Sequence, residues 1–195
     1  MTTDPVVDDK IQVDEARRGS RDAIAALVGH HSPGLFRYLI RLSGDPVLAG
    51  DLLQDTWLRV MERLNSNRPG HPFRNWLFAI ARNRAFDILR QRSRRLQREP
   101  AGAAEHPTNP AEEVPDPHPS ILEYLAEADL ARCVRKAMET LPVVFREVLT
   151  LRFEQGMEIG AIARILGLSA SAVKDRLYRG LDQLRLRTER LAKHG

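Results

Sequence analysis

Serine, lysine, aspartate and arginine cluster between Ser169 and Arg179, and their chemistry suits reading a nucleic acid rather than making or breaking bonds. Lysine and arginine donate to phosphate oxygens or guanine edges, aspartate accepts from a cytosine amino group, and hydroxyls do either. Lys174, Arg176 and Arg179 supply the cations, Asp175 the acceptor, and Ser169 and Ser171 the hydroxyls. A second set lies upstream. Between Arg82 and Arg98 seven arginines stand against one acid, Asp87, a density that suits a polyanion. Phe73 and Trp76, just before it, offer rings on which unpaired bases stack; equally, they fall on one helical stripe with Leu77, Ile80 and Ile88 and fit a core.

Bond-making chemistry has little support. There is no nucleophile–base pair, no carboxylate cluster with metal spacing and no Gly-rich phosphate loop, so no enzyme is expected. His30, His31, His71, His106, His118 and His194 show no zinc-binding spacing, and the adjacent His30 and His31 are expected to diverge on a helix. Cys133, a lone cysteine, excludes an intramolecular disulfide and a Cys-based cluster. Neither metal nor cofactor is expected.

The elements that must position these residues read as helices throughout. Ile159 to Arg179 is a helix, a tight turn and a second helix. Ala163 is small enough for close helix contact, Gly167 suits a left-handed turn, and Ser169 caps the second helix. Ile162, Leu166, Leu168, Val173 and Leu177 form the expected core of the pair, whose second member is shaped for a major groove. Upstream, helices are expected near Val13 to Val28, Pro33 to Leu42, Asp45 to Leu64 and Phe73 to Arg95. Asn65 to Pro72 reads as a loop. Ser120 with Glu123 makes a capping box for a helix ending before Pro142, and Pro142 opens another through about Phe153. No segment sustains two-residue alternation, so sheet is not expected.

Charge divides the chain. Residues 1–98 carry 17 Lys/Arg against 11 Asp/Glu, residues 99–129 carry eight acids and no base, and residues 130–195 carry 13 bases against seven acids. Six of the 12 prolines lie between Pro100 and Pro119. The expected fold is all-α: two small helical domains, residues 10–98 and 120–195, joined by a flexible acidic linker over 99–119, the second a helix-turn-helix (winged-helix-like) domain. On composition alone that linker reads as an extended spacer. No apolar run approaches a membrane span, and the acidic amino terminus is unlike a signal peptide, so a cytoplasmic protein without membrane insertion is expected.

Two segments in order carry a family resemblance. Asp51-Leu-Leu-Gln-Asp-Thr-Trp-Leu-Arg-Val, followed by Phe73-Arg-Asn-Trp-Leu-Phe-Ala-Ile-Ala-Arg-Asn, resembles the second conserved region of bacterial sigma factors. Leu141-Pro-Val-Val-Phe-Arg-Glu-Val-Leu, followed by the helix-turn-helix, resembles the fourth. With no third-region domain between them, the chain is similar to the compact extracytoplasmic-function (ECF) type of the sigma-70 family.

The resemblance implies a factor that binds core RNA polymerase and directs promoter recognition and DNA melting. Asp51, Leu52, Gln54, Asp55, Leu58, Arg59 and Glu62 would grip the polymerase clamp helices. On the residues alone, Asp51, Asp55, Leu58 and Glu62 share one outward stripe that mixes acid with a leucine. Asn67, Arg68, Phe73, Arg74, Asn75 and Trp76, with Arg82, Asn83 and Arg90, would recognise and open the minus-ten element. Ser169, Ser171, Lys174, Asp175, Arg176 and Arg179 would read the minus-thirty-five element as duplex. The family usually has serine where this chain has Asp175, and commonly Ala-Arg where it has Gly180-Leu181, which bears on the sequence read rather than on the role. Core RNA polymerase and promoter DNA are the implied partners, with an anti-sigma protein a further candidate. The competing reading is a helix-turn-helix repressor or activator with a helical sensor domain, which predicts a homodimer on palindromic sites.

Overall fold

Two side-chain caps lay out the amino-terminal half of the computed structural model, which describes residues 5–66, 72–96 and 121–193. Helix α1 (Pro5–Arg17) stops before Gly19, whose φ of 91° is left-handed, and Ser20 Oγ accepts from the Ala23 amide to start α2 (Arg21–Ser43). α2 ends at Gly44, and Asp45 Oδ1 then accepts from the Val47 and Leu48 amides to open α3 (Pro46–Arg63). The Leu48 amide foremost holds the Asp45 carboxyl below its usual range. A 3₁₀ turn, Leu64–Ser66, follows α3, and α4 spans Phe73–Leu96.

The helix boundaries before Asp45 differ from those expected. The break falls at residues 18–20, not after Val28, and α2 runs without interruption through Pro33. Its inner face is buried on both sides of that proline, at Leu27 and His31 before it and Leu35, Tyr38 and Leu39 after it. Packing along this face outweighs the single backbone donor that proline lacks.

The carboxy-terminal half begins with α5 (Ile121–Thr140) and α6 (Val143–Leu149). Thr150–Glu154 then winds as a wide π turn, a form frequent at functional sites. Helix α7 (Ile159–Leu166) and α8 (Ala170–Lys193) make the helix-turn-helix. Gly167 adopts φ 65°, the Leu168 amide donates to the Ala163 carbonyl at 3.0 Å, and Ser169 Oγ accepts from the Ala172 amide at 3.2 Å. Ile162, Leu166 and Val173 are buried, with Leu168 and Leu177 packed against them. No strand occurs among the described residues, and none of their helices is long and apolar enough to cross a membrane.

The apolar core is continuous across the two halves: buried side chains of α1 to α4 form one cluster with Val148, Leu151 and Ile162. Met138, Leu141 and Leu149 make a smaller second cluster. Residues 99–119, Ser120, Asn67 and Arg68 lie outside the described residues, and with them the linker, the capping box and part of the minus-ten set.

Candidate nucleic-acid interface

α4 turns Phe73, Leu77, Phe78, Ala81 and Ala85 inward. The Phe73 ring lies 5.4 Å from that of His31 and 5.9 Å from that of Trp76, centroid to centroid. The stacking role expected of Phe73 is thereby corrected: its ring belongs to the core, 4% exposed. Trp76 is half-buried against the same core. Asn83 and Arg90 are exposed, whereas Arg74, Asn75 and Arg82 are half-buried.

The arginines of α4 do not form a uniform solvent-facing stripe. Arg84 donates to Asp55 of α3, and Arg92 reaches Asp45 at 3.5 Å. Two others cross to the carboxy-terminal half. Arg82 Nε donates to Glu147 Oε1 at 2.8 Å, and Arg74 Nη2 donates to the Gln155 carbonyl at 2.6 Å. The Tyr38 hydroxyl donates to the same Glu147 oxygen at 3.0 Å. Glu147 is 0% exposed. Burial raises its carboxyl above the ordinary value, opposed mainly by the Arg82 charge, and burial likewise pushes the Tyr38 hydroxyl well up, so tyrosine remains a neutral donor.

On α3, Asp51, Gln54, Leu58 and Glu62 face solvent, with Leu58 58% exposed. Leu52 is fully buried, which corrects its assignment to a partner surface: it lies on the opposite, core-facing side of the helix. Asp55 is half-buried between Arg84 and Arg59, the latter at 3.4 Å, so both Asp55 and Arg59 are engaged within the amino-terminal half.

On α8, Ser171, Lys174, Asp175 and Arg179 are exposed. Ser169 is exposed as well, its hydroxyl capping the helix, and Arg176 is half-buried. Asp175 Oδ2 pairs with Arg179 Nη1 at 3.5 Å, one helical turn on, an exposed pair that offsets only part of the carboxylate's charge. Gly180 is buried against α6: a Cβ there would sit 3.3 Å from Phe145 Cβ. Gly180 is therefore a packing feature.

A cleft of about 990 Å³ separates the halves on one side, walled among others by Asp9, His31, Arg37, Arg74, Gln155 and Arg164. The adjacent histidines do not diverge as expected. Their rings meet edge-on at 4.7 Å, and donor atoms of Asp9, His30 and His31 lie within 4.8 Å of one another. Asp9 Oδ1 and His31 Nε2 are 2.8 Å apart, a hydrogen bond that ties α1 to α2, and the Arg74 cation interacts with Asp9.

Tyr38, Glu147 and Gln155 are the residues that sequence reasoning missed. One signal was present: Glu147 is an acid set between Phe145 and Val148 on the inner side of a short apolar helix.

Set against known proteins, the description Sigma-70 region 2 matches residues 27–95 and Sigma-70, region 4 matches residues 131–184. The chain is 32% identical to the ECF RNA polymerase sigma factor SigL of Mycobacterium tuberculosis over 167 residues, 85% of this chain and 89% of that one. The chain belongs to the ECF sigma factors. This sigma factor is also 33% identical to the ECF RNA polymerase sigma factor SigE of Mycolicibacterium smegmatis over 86% of its own length, and spans 61% of that relative. Its fold matches CnrH, solved in complex with the cytosolic domain of CnrY, with a TM-score of 0.63 at 27% identity over 92% of this chain and 96% of that one. In sigma-factor terms, α2 to α4 carry region 2, and α5 to α8 carry region 4.

Proposed function

We propose that this sigma factor binds core RNA polymerase and directs promoter recognition and DNA melting, without catalysing a reaction itself. One observation carries the reading. A helix-turn-helix with Lys174, Asp175 and Arg179 exposed on its second helix shares a chain with the arginine-bearing α4 and an acid-and-leucine face on α3.

The work divides between two strand states. Region 4, taken as residues 120–195, positions the complex on duplex DNA through phosphate contacts and a few base contacts from Ser169, Ser171, Lys174, Asp175, Arg176 and Arg179. Region 2, residues 10–98, holds flipped bases and their backbone through Arg74, Asn75, Trp76, Arg82, Asn83 and Arg90. Only melted DNA offers those contacts, so binding shifts the duplex toward opening. Asp51, Gln54, Leu58 and Glu62 grip the polymerase. These roles place the protein in the cytoplasm with its polymerase. CnrH, similar in fold, was solved with a protein partner, which supports a regulatory partner here too, an anti-sigma protein.

The test is transcription by purified core polymerase, with and without the full chain, mapped by start-site sequencing. New, discrete start sites are expected on addition of the chain. No change in start-site choice overturns the reading.

A further inference from the structure

We propose that Asp9 of α1 and His30 and His31 of α2 form a binding site for one divalent transition-metal ion, Zn²⁺ by ligand type, which fastens the first helix to the second. All three side chains lie in the amino-terminal half, and the inference stands apart from the promoter-binding role.

Donor atoms of the three residues lie within 4.8 Å of one another. Asp9 Oδ1 and His31 Nε2 already stand 2.8 Å apart. Consecutive residues of a helix point about 100° from each other, yet the His30 and His31 rings meet edge-on at 4.7 Å between centroids. A second imidazole is thus brought to a pair whose own hydrogen bond does not need it.

Two neutral imidazoles and a carboxylate are a borderline-soft ligand set that suits zinc and its first-row neighbours, and they leave a fourth position open. Zinc–ligand bonds of about 2.0–2.2 Å set neighbouring donors about 3.3 Å apart in a tetrahedron. The Asp9 and His31 atoms need to part only slightly, with the ion replacing the hydrogen they share and His31 keeping its own on Nδ1. His30 has furthest to travel, and it is exposed. His31, in contrast, is 5% exposed and held beside the Phe73 ring at 5.4 Å. One imidazole is therefore fixed in advance and the other is free to close over the ion.

The surroundings leave the site to these ligands. All three line the cleft of about 990 Å³, which has room for a water as fourth ligand. Asp14 is taken by Arg17 at 3.1 Å. The Arg74 cation acts on Asp9, but its Nη2 donates to the Gln155 carbonyl at 2.6 Å, and the Asp9 oxygen is left to His31. Helix α1 begins ahead of the residues matched by region 2, and it is seated through buried Val13 and Ala16. Ligation would add a bond that this apolar contact lacks.

The test uses the full chain, stripped of metal by a chelator and titrated with Zn²⁺ in a calorimeter, with thermal unfolding followed by circular dichroism. Asp9→Asn retains hydrogen-bonding capacity toward His31, and His30→Ala trims an exposed side chain, so both are expected to fold. Cys133→Ser, on α5, removes the chain's one thiol and serves as control. Wild type should take up one ion per chain, and its unfolding midpoint should rise by roughly 5–10 °C at a hundredfold excess over the dissociation constant. Each of Asp9→Asn and His30→Ala should weaken uptake about tenfold or more and lose most of that rise, while the control matches wild type. Absence of saturable one-to-one uptake, undiminished uptake in either variant, or its loss in the control overturns the proposal.

Discussion

Arg82 Nε lies 2.8 Å from Glu147 Oε1, and this ion pair joins the arginine-rich helix of region 2 to the first short helix of region 4. Glu147 is fully buried, whereas the Arg82 side chain retains 20% of its exposure. Water can therefore reach the cation sooner than the anion. The Tyr38 hydroxyl supplies the second bond to that anion. Tyr38→Phe keeps the ring beside Phe78, 5.2 Å between centroids, and removes only the donor. A loss of about 1.5–3 kcal/mol, the usual worth of a hydrogen bond to a charged group, is expected in urea unfolding of the full chain. A midpoint equal to wild type would mean that the hydroxyl contributes nothing.

Acid should stabilise the packing of α6 against α2 and α4. Burial raises the Glu147 carboxyl above 4.5, so the folded chain holds its proton more tightly than an unfolded chain in which the residue is hydrated. The resulting stabilisation is fully present below 4.5 and is lost as pH rises through the raised value. Arg82 and Arg176 are the cations acting on Glu147, and Tyr38, pushed well up, does not titrate in this window. Urea unfolding across the window should show a gain in wild-type stability on acidification that Glu147→Gln lacks. Superimposable pH profiles would assign any gain to other groups.

The polymerase face is best probed where it is not tied into the fold. Asp55 is a poor choice because it bonds Arg84 and Arg59. Asp51→Lys combined with Leu58→Glu alters two exposed side chains and spares the core. At least a tenfold loss of core polymerase in a pull-down is expected with helical circular dichroism unchanged, a change of about 1.4 kcal/mol or more. Undiminished capture would place the interface elsewhere.

On the recognition helix, Lys174→Ala and Arg179→Ala should each weaken minus-thirty-five use by about 1–3 kcal/mol if they read bases. Arg179 is also held by Asp175 at 3.5 Å, so Asp175→Ala should change which base is preferred rather than abolish promoter output. Reporter transcription from a set of single-base promoter variants separates the two effects.

Gly180→Val tests packing. The added Cβ would press within 3.4 Å of Phe145 and Leu149, so overpacking of about 1–3 kcal/mol is expected as a lower midpoint in urea. An unchanged midpoint would show that α6 yields at no cost.

Local signals were legible where local chemistry decides the outcome. Asp45-Pro46 and Gly167-Ser169 mark helix ends through their own side chains and backbone preferences, and the structure places those ends where expected. Pro33 misled because its local cost is overruled by burial along α2, which no short window of sequence contains. Leu52 was misassigned to a partner surface, whereas for Phe73 the helical stripe offered the core reading beside the stacking one, and burial decides for the core. The contacts among Tyr38, Arg82 and Glu147 were illegible, since Glu147 stands 109 residues from Tyr38 and 65 from Arg82. Sequence distance of that size leaves no pattern to read.

Asp55 has a consequence for measurement inside the promoter complex. One carboxylate bonds an arginine of its own helix and an arginine of α4, so the helix proposed to grip polymerase and the helix proposed to meet DNA are tied side by side. On the proposed function, the offset between the two grips would then be a fixed length, and region 2 would act as a ruler for where on the duplex strand separation begins.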